Sequence, residues 1–140
     1  MSKSNTSLLT YQYRLYPRRA EAKRLDTLLY QGKLVYNFAL EVCKNTYEAT
    51  GESVKALSLW QYFRDWRNSQ PEAERVLNAS SVQHLLRRLD KAYAACFRRI
   101  KAGEKAGHPR FKSHDRFNSV EYTYGDGVKL VQDDRRVLLY

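Results

Sequence analysis

Two cysteines, three prolines and one methionine in 140 residues close off several architectures at once. Cys43 and Cys96 stand far apart with no CxxC pair, which excludes a cysteine-rich zinc ribbon and an internal disulfide framework. Both read as small apolar groups inside helices. No apolar run approaches the roughly 18 to 20 residues of a membrane span, and Met1 to Ser7 is polar with no signal-peptide core. The expectation is a cytoplasmic protein with no membrane partner. Catalytic signatures are missing too: there is no GxxxxGK[ST], GxGxxG or GxSxG, and no serine sits in a recognisable nucleophile setting.

Negative charge is the other scarcity. The chain has 15 Asp+Glu against 25 Lys+Arg, a net charge of +10, while 43% hydrophobic residues suffice for a packed core. The excess is unevenly placed. Residues 1–40 carry +5 and residues 84–116 carry +7, with ten bases against three acids in the second block, whereas residues 41–83 and 117–140 are each −1. Two separated cationic blocks are expected of a polyanion binder more than of a generic solubility surface.

Leu8 to Tyr16 alternates, with Leu9, Tyr11, Tyr13 and Leu15 on one face, which predicts a half-buried strand ended by Pro17. Helical spacing follows over Arg18 to Tyr30 through Ala22, Leu25, Leu28 and Leu29. Gly32 reads as a break, and a second helix runs from Lys33 to about Ala49, stopped by Gly51. Leu57 to Arg67 forms a short helix with Leu59, Trp60, Phe63 and Trp66 on a core stripe. The strongest period runs from about Ser81 to Ala102, where Val82, Leu86, Leu89, Tyr93, Cys96 and Ile100 make an apolar seam and Ser80 with Gln83 reads as a capping box. His84, Arg87, Lys91 and Arg98 fall opposite that seam, with Arg88 and Arg99 on its flank. Gly103 and Gly107 then bracket a Lys/Glu-rich loop, and His108 to Arg116 is a basic loop.

From Phe117 strand alternation returns through Val120, Tyr122 and Tyr124. A Gly125-Asp126-Gly127 turn, a strand through Val128, Leu130 and Val131, an Asp133-Asp134 turn and an apolar run Val137 to Tyr140 follow. That last run reads as an open sheet edge awaiting further sequence. Strand regions offer Glu121 alone among carboxylates, too few to hold divalent cations, and His84, His108 and His114 have no zinc-ligand spacing. No cofactor is expected. Arg87, Lys91 and Arg98 suit phosphates, and Tyr93, Phe97, Phe111 and Phe117 are aromatics of the kind that stack on unpaired bases, Tyr93 being assigned to the seam.

Four stretches in register carry a family resemblance: Tyr13-Arg14-Leu15-Tyr16-Pro17, Lys33 to Leu40, Leu89 to Tyr93, and Phe97 to Lys112 with its GEKAGHPRFK core. Together they resemble the N-terminal half of TnpB (OrfB), the transposase-associated protein of bacterial insertion sequences. The resemblance implies the front part of an RNA-guided DNA endonuclease, a wedge-type β-barrel with a helical insert that contacts guide RNA and double-stranded target DNA. Residues 18 to 49 correspond to the segment described in the family as a helix-turn-helix. The family's carboxylate triad and zinc ribbon lie further along and have no counterpart here, so the resemblance implies binding without cleavage in this chain. Three departures stand out: a Gln early in the first helix has no counterpart, Lys33 replaces an Arg and His108 replaces a Tyr.

The resulting expectation is an α+β fold. The N-terminal strand (1–17) and C-terminal antiparallel strands form part of a barrel, around a segment of helix-turn-helix type (18–52), a helical recognition region (53–107) and a basic loop with short strands (108–140). Nucleic-acid contacts are expected from Arg14, Arg18, Arg19, Lys33, Asn37, Arg87, Arg88, Lys91, Arg98, Arg99, Lys101, Lys105, Arg110 and Lys112. Two alternatives stand beside this reading: the start of an active endonuclease whose nuclease region lies elsewhere, and a stand-alone regulator that reads duplex DNA through residues 18–49.

Overall fold

The computed structural model describes residues 7–133 and 135–140. Its elements are α1 (Arg19–Thr50), a 3-10 turn (Ala56–Leu59), α2 (Trp60–Ser69), a second 3-10 turn (Glu72–Glu74), α3 (Ala79–Lys101), and strands β1 (Thr123–Tyr124), β2 (Gly127–Val131) and β3 (Arg136–Leu139). This is α+β, with three helices and a small open sheet.

α1 is one unbroken helix of 32 residues, so the break expected at Gly32 does not occur. Gly32 is buried inside the helix, and a Cβ there would lie 3.0 Å from Phe117 Cε1 and 3.3 Å from Val120 Cγ2. The glycine serves close approach rather than a turn, at a propensity cost of about 1 kcal/mol. Gly51 ends the helix in the left-handed conformation, φ 74°, as expected. At the other end the Arg18 backbone N–H donates to Glu21 Oε1 at 3.2 Å.

Leu28, Val35, Tyr36, Ala39, Leu40 and Cys43 form the buried stripe of α1, and it packs on α3 through Val82, Leu85, Leu86 and Leu89. Phe63 of α2, Ala56 and Leu77 complete the core, with Trp60 and Trp66 half-buried against it. α3 is the central element, touching α1, α2 and the first 3-10 turn. Its seam is buried at Val82, Leu86, Leu89 and Cys96 and half-buried at Tyr93, and Ile100 in the last turn is exposed. The cap also differs. Asn78, not Ser80, is the N-cap, its Oδ1 accepting from Ser80 N at 2.9 Å and Ser80 Oγ at 2.7 Å. Bases in the last turn, Arg98, Arg99 and Lys101, suit the negative end of the helix dipole.

The expected N-terminal strand is not formed. Residues 7–18 adopt no regular element, and Leu9, Tyr11, Tyr13 and Leu15, the face expected to be buried, are exposed, Tyr13 at 80%. Alternation alone makes no strand where neither a ladder partner nor a core face is present; residues 1–6 of that segment lie outside the described residues. Phe117 to Tyr122 is likewise not a strand. Phe117 is buried against Gly32 and 6.3 Å from the Tyr36 ring, which turns the segment into a strap across α1.

β2 and β3 form the expected antiparallel hairpin, with Val128 opposite Leu139 and Val131 opposite Arg136. Gln132 and Asp133 take positive φ of 55° and 56° at the turn, which matches strand twist; Asp134 lies outside the described residues. β1 adds a two-residue parallel pairing to β2, so the sheet has three strands in the order β1-β2-β3. No barrel closes among the described residues. Gly127 ties the sheet to the helices: at φ 102°, a Cβ there would come within 2.8 Å of the Asn78 amide, which itself donates to the Tyr140 carbonyl at 3.2 Å.

Candidate nucleic-acid interface

Arg87, Lys91 and Arg98 project from one exposed stripe of α3, as their spacing requires. Arg99, Lys101 and Lys105 extend the stripe to the end of the helix and into the loop beyond. Arg110 and Lys112 are exposed on that loop. Among the described residues, none of these eight cations has a carboxylate within salt-bridge distance. The field of the stripe is therefore not neutralised by the protein itself.

Asn37 organises the loop. Its Nδ2 donates to the Lys112 carbonyl at 2.9 Å and its Oδ1 accepts from the Lys112 N–H at 2.8 Å, a two-bond clasp across 75 residues of sequence. One donor and one acceptor of the amide are thus engaged, which gives Asn37 a positioning role in the loop. Two other polar side chains of α3 are engaged within the fold. Arg88 is half-buried, donating from Nη1 to the Ser119 carbonyl at 3.0 Å with its guanidinium 5.7 Å from the Phe117 ring centroid. It holds the strap. His84 lies 2.8 Å from Thr123 Oγ1 through Nε2 and 3.6 Å from Glu121 through Nδ1, so it joins α3 to β1.

The first cationic block is more dispersed. Arg14 is exposed with its guanidinium 5.6 Å from the Tyr16 ring, Arg18 reaches Glu21 at 4.0 Å, Arg19 is exposed, and Lys33 Nζ lies 4.6 Å from the Tyr30 ring centroid. No clasp gathers these residues with the α3 stripe among the described residues.

Asp90 is an anchoring group that the spacing does not announce. Its oxygens accept from Ala56 N at 2.6 Å and Leu57 N at 3.1 Å, which caps the first 3-10 turn. An acid between Arg87 and Lys91 was the available signal. Burial and the Asp90 carboxylate push the Cys43 thiol up, so it stays protonated, 3.5 Å from the Val54 carbonyl, and unreactive. Burial also raises the Tyr36, Tyr93 and Tyr122 phenols; the Arg88 charge opposes this at Tyr36 without overcoming it.

A cleft of about 590 Å³ opens beside the stripe, between the second half of α1, α3 and the basic loop. Phe97 and Phe111 line it; Phe117, expected among the stackers, is buried in the core instead. No helix among the described residues is long and apolar enough to cross a membrane.

Residues 7–52 match the helix-turn-helix domain of the OrfB family of IS605-type elements. The match covers the N-terminal segment and the whole of α1, and it supports the N-terminal portion of an OrfB/TnpB-type protein, a transposase-associated family whose domain type points to DNA binding. In this chain that match overlies an extended segment and one continuous helix. Neither a curated protein nor a solved structure matches the chain.

Proposed function

We propose that this chain is the nucleic-acid-binding N-terminal part of a TnpB-type protein, holding guide RNA and target DNA, with hydrolysis left to residues outside these 140. The observation that carries the reading is the unneutralised stripe Arg87, Lys91 and Arg98, continuous with a basic loop that Asn37 clasps in place. Two guanidiniums and an ammonium in a row suit phosphates along a backbone, and a clasped loop loses less entropy on binding than a free one. Arg14, Arg18, Arg19 and Lys33 supply a second, more adaptable set of contacts.

Counterion release sets the test. Each phosphate contact contributes about −0.9 for duplex DNA and about −0.7 for a single strand to the slope of log affinity against log salt. Changing Arg87, Lys91 and Arg98 together to Ala should make that slope shallower by roughly two to three units and weaken retention of both RNA and DNA at low salt. Unaltered retention refutes the reading.

The match over residues 7–52 favours a second reading, a stand-alone reader of duplex DNA. Sequence-selective duplex binding without RNA would support it. The continuous helix speaks against a two-helix reader, since the recognition helix of that motif depends on a turn that α1 lacks.

A further inference from the structure

The cleft beside the α3 stripe is not explained by phosphate binding. Its volume of about 590 Å³ falls within the roughly 300 to 1,000 Å³ typical of small-molecule sites. A third of its lining residues carry aromatic rings: Tyr47, Tyr93, Phe97, His108 and Phe111. Tyr93 and Phe97 stack with centroids 5.9 Å apart and planes at 27°, and Tyr47 faces His108 at 6.3 Å. Half of Tyr47 and Phe111 remains open to solvent, so the rings are available to a ligand rather than spent in the core.

Charge narrows the occupant. Lys44, Lys55 and Arg110 stand among the rings, Lys44 Nζ lying 5.9 Å from the Phe111 centroid. Of the two carboxylates in the wall, Asp90 is already engaged by two backbone N–H groups, leaving Glu48 to accept from an amine. Aromatic faces, cations and one free acceptor suit a flat, hydrogen-bonding heterocycle attached to an anion. A lipid chain or an apolar peptide would leave the cations unmatched.

Helix geometry links this cleft to the stripe. Asp90, Tyr93, Ala94 and Phe97 face it at i, i+3, i+4 and i+7, and Arg87, Lys91 and Arg98 occupy the adjoining sector, roughly 20° to 60° beyond Ala94 at about 100° per residue. A backbone lying on the stripe therefore directs its bases into the cleft. In a duplex those faces are covered by stacked neighbours; in a single strand they are open.

We infer that the cleft holds an unpaired nucleobase of a single strand whose phosphates run along Arg87, Lys91 and Arg98. This rests on the nucleic-acid-binding reading above. Tyr47, Phe97 and Phe111 supply the stacking faces, and Lys44 and Arg110 the flanking charge.

The test uses the 140-residue chain and a short single-stranded oligonucleotide carrying 2-aminopurine, beside an abasic strand of equal length. The base-bearing strand should bind about 5- to 150-fold more tightly than the abasic one, with quenched fluorescence. Changing Tyr47 and Phe97 together to Ala should bring that ratio towards one, with circular dichroism confirming the helices. If the double variant unfolds, the unmodified chain's ratio decides alone. Equal binding of both strands by the unmodified chain overturns the cleft assignment while leaving phosphate binding standing, and retention of neither strand overturns both.

Discussion

Leu85, Leu86 and Leu89 on α3 are fully buried, whereas Leu9, Tyr11, Tyr13 and Leu15 are exposed, although both segments have regular apolar periods. The difference lies in the partner. An amphipathic helix hydrogen-bonds itself and needs only an apolar surface to lie on, which α1 and α2 provide. A strand needs a second strand for its backbone as well as a face for its side chains. The sheet sits between these cases: β2 and β3 satisfy each other, yet Leu130, Val137, Leu138 and Leu139 stay partly exposed because nothing covers their faces.

The sharpest way to break the comparison is to place the same charge in both regions. Leu89→Asp should abolish cooperative unfolding, since an unpaired carboxylate in the core costs more than the roughly 5 to 15 kcal/mol stability of a domain can readily absorb. Leu9→Asp should shift stability by no more than about 0.5 kcal/mol. Thermal melts followed by circular dichroism compare the two, and recovery of a folded Leu89→Asp protein would refute the packing described for α3.

Gly32 gives the next largest effect. Valine at that position should cost about 1 to 3 kcal/mol by overpacking against Phe117 and Val120. Phe117→Ala in the Gly32→Val background should then cost less than it does alone, a coupling that a denaturant-melt double-mutant cycle detects. Additive costs would mean that the ring does not rest on the glycine.

Alkaline pH probes the helical region. Burial holds the Tyr36, Tyr93 and Tyr122 phenols protonated above the ordinary value of 10.0. The unfolded chain releases these protons near pH 10 and the folded chain later, so their contribution is fully present below that pH and is lost as pH rises through the folded values. The melting temperature should fall above pH 10, and replacing all three with Phe should flatten that fall.

The smallest effect belongs to the loop. Asn37→Ala should remove about 1 kcal/mol, with faster exchange of the Lys112 amide, while Arg87, Lys91 and Arg98 keep their positions. Unchanged exchange at Lys112 would show that the clasp does not hold the loop in solution.

The cationic stripe and the helix that carries it were legible in the residues, because charge and helical spacing are local properties. The stripe of Arg87, Lys91 and Arg98, the seam through Cys96, the hairpin of β2 and β3 and the stop at Gly51 all follow from short windows. The misplaced features are long-range. Gly32 looks like a helix breaker until Phe117 is seen above it, and nothing near Asn37 in the sequence announces its bonds to Lys112.

The amino-acid order by itself determined that this chain is basic in two blocks, that its longest regular pattern is a helix with one apolar and one cationic face, and that its residues resemble an OrfB-type N-terminus. Only the tertiary structure decided which polar groups remain free. Asn37, Arg88 and Asp90 are engaged by backbone atoms 75, 31 and 33 or 34 residues away in the chain. A side chain's availability depends on what the fold brings within hydrogen-bond distance, and that is set by packing between segments rather than by spacing within one.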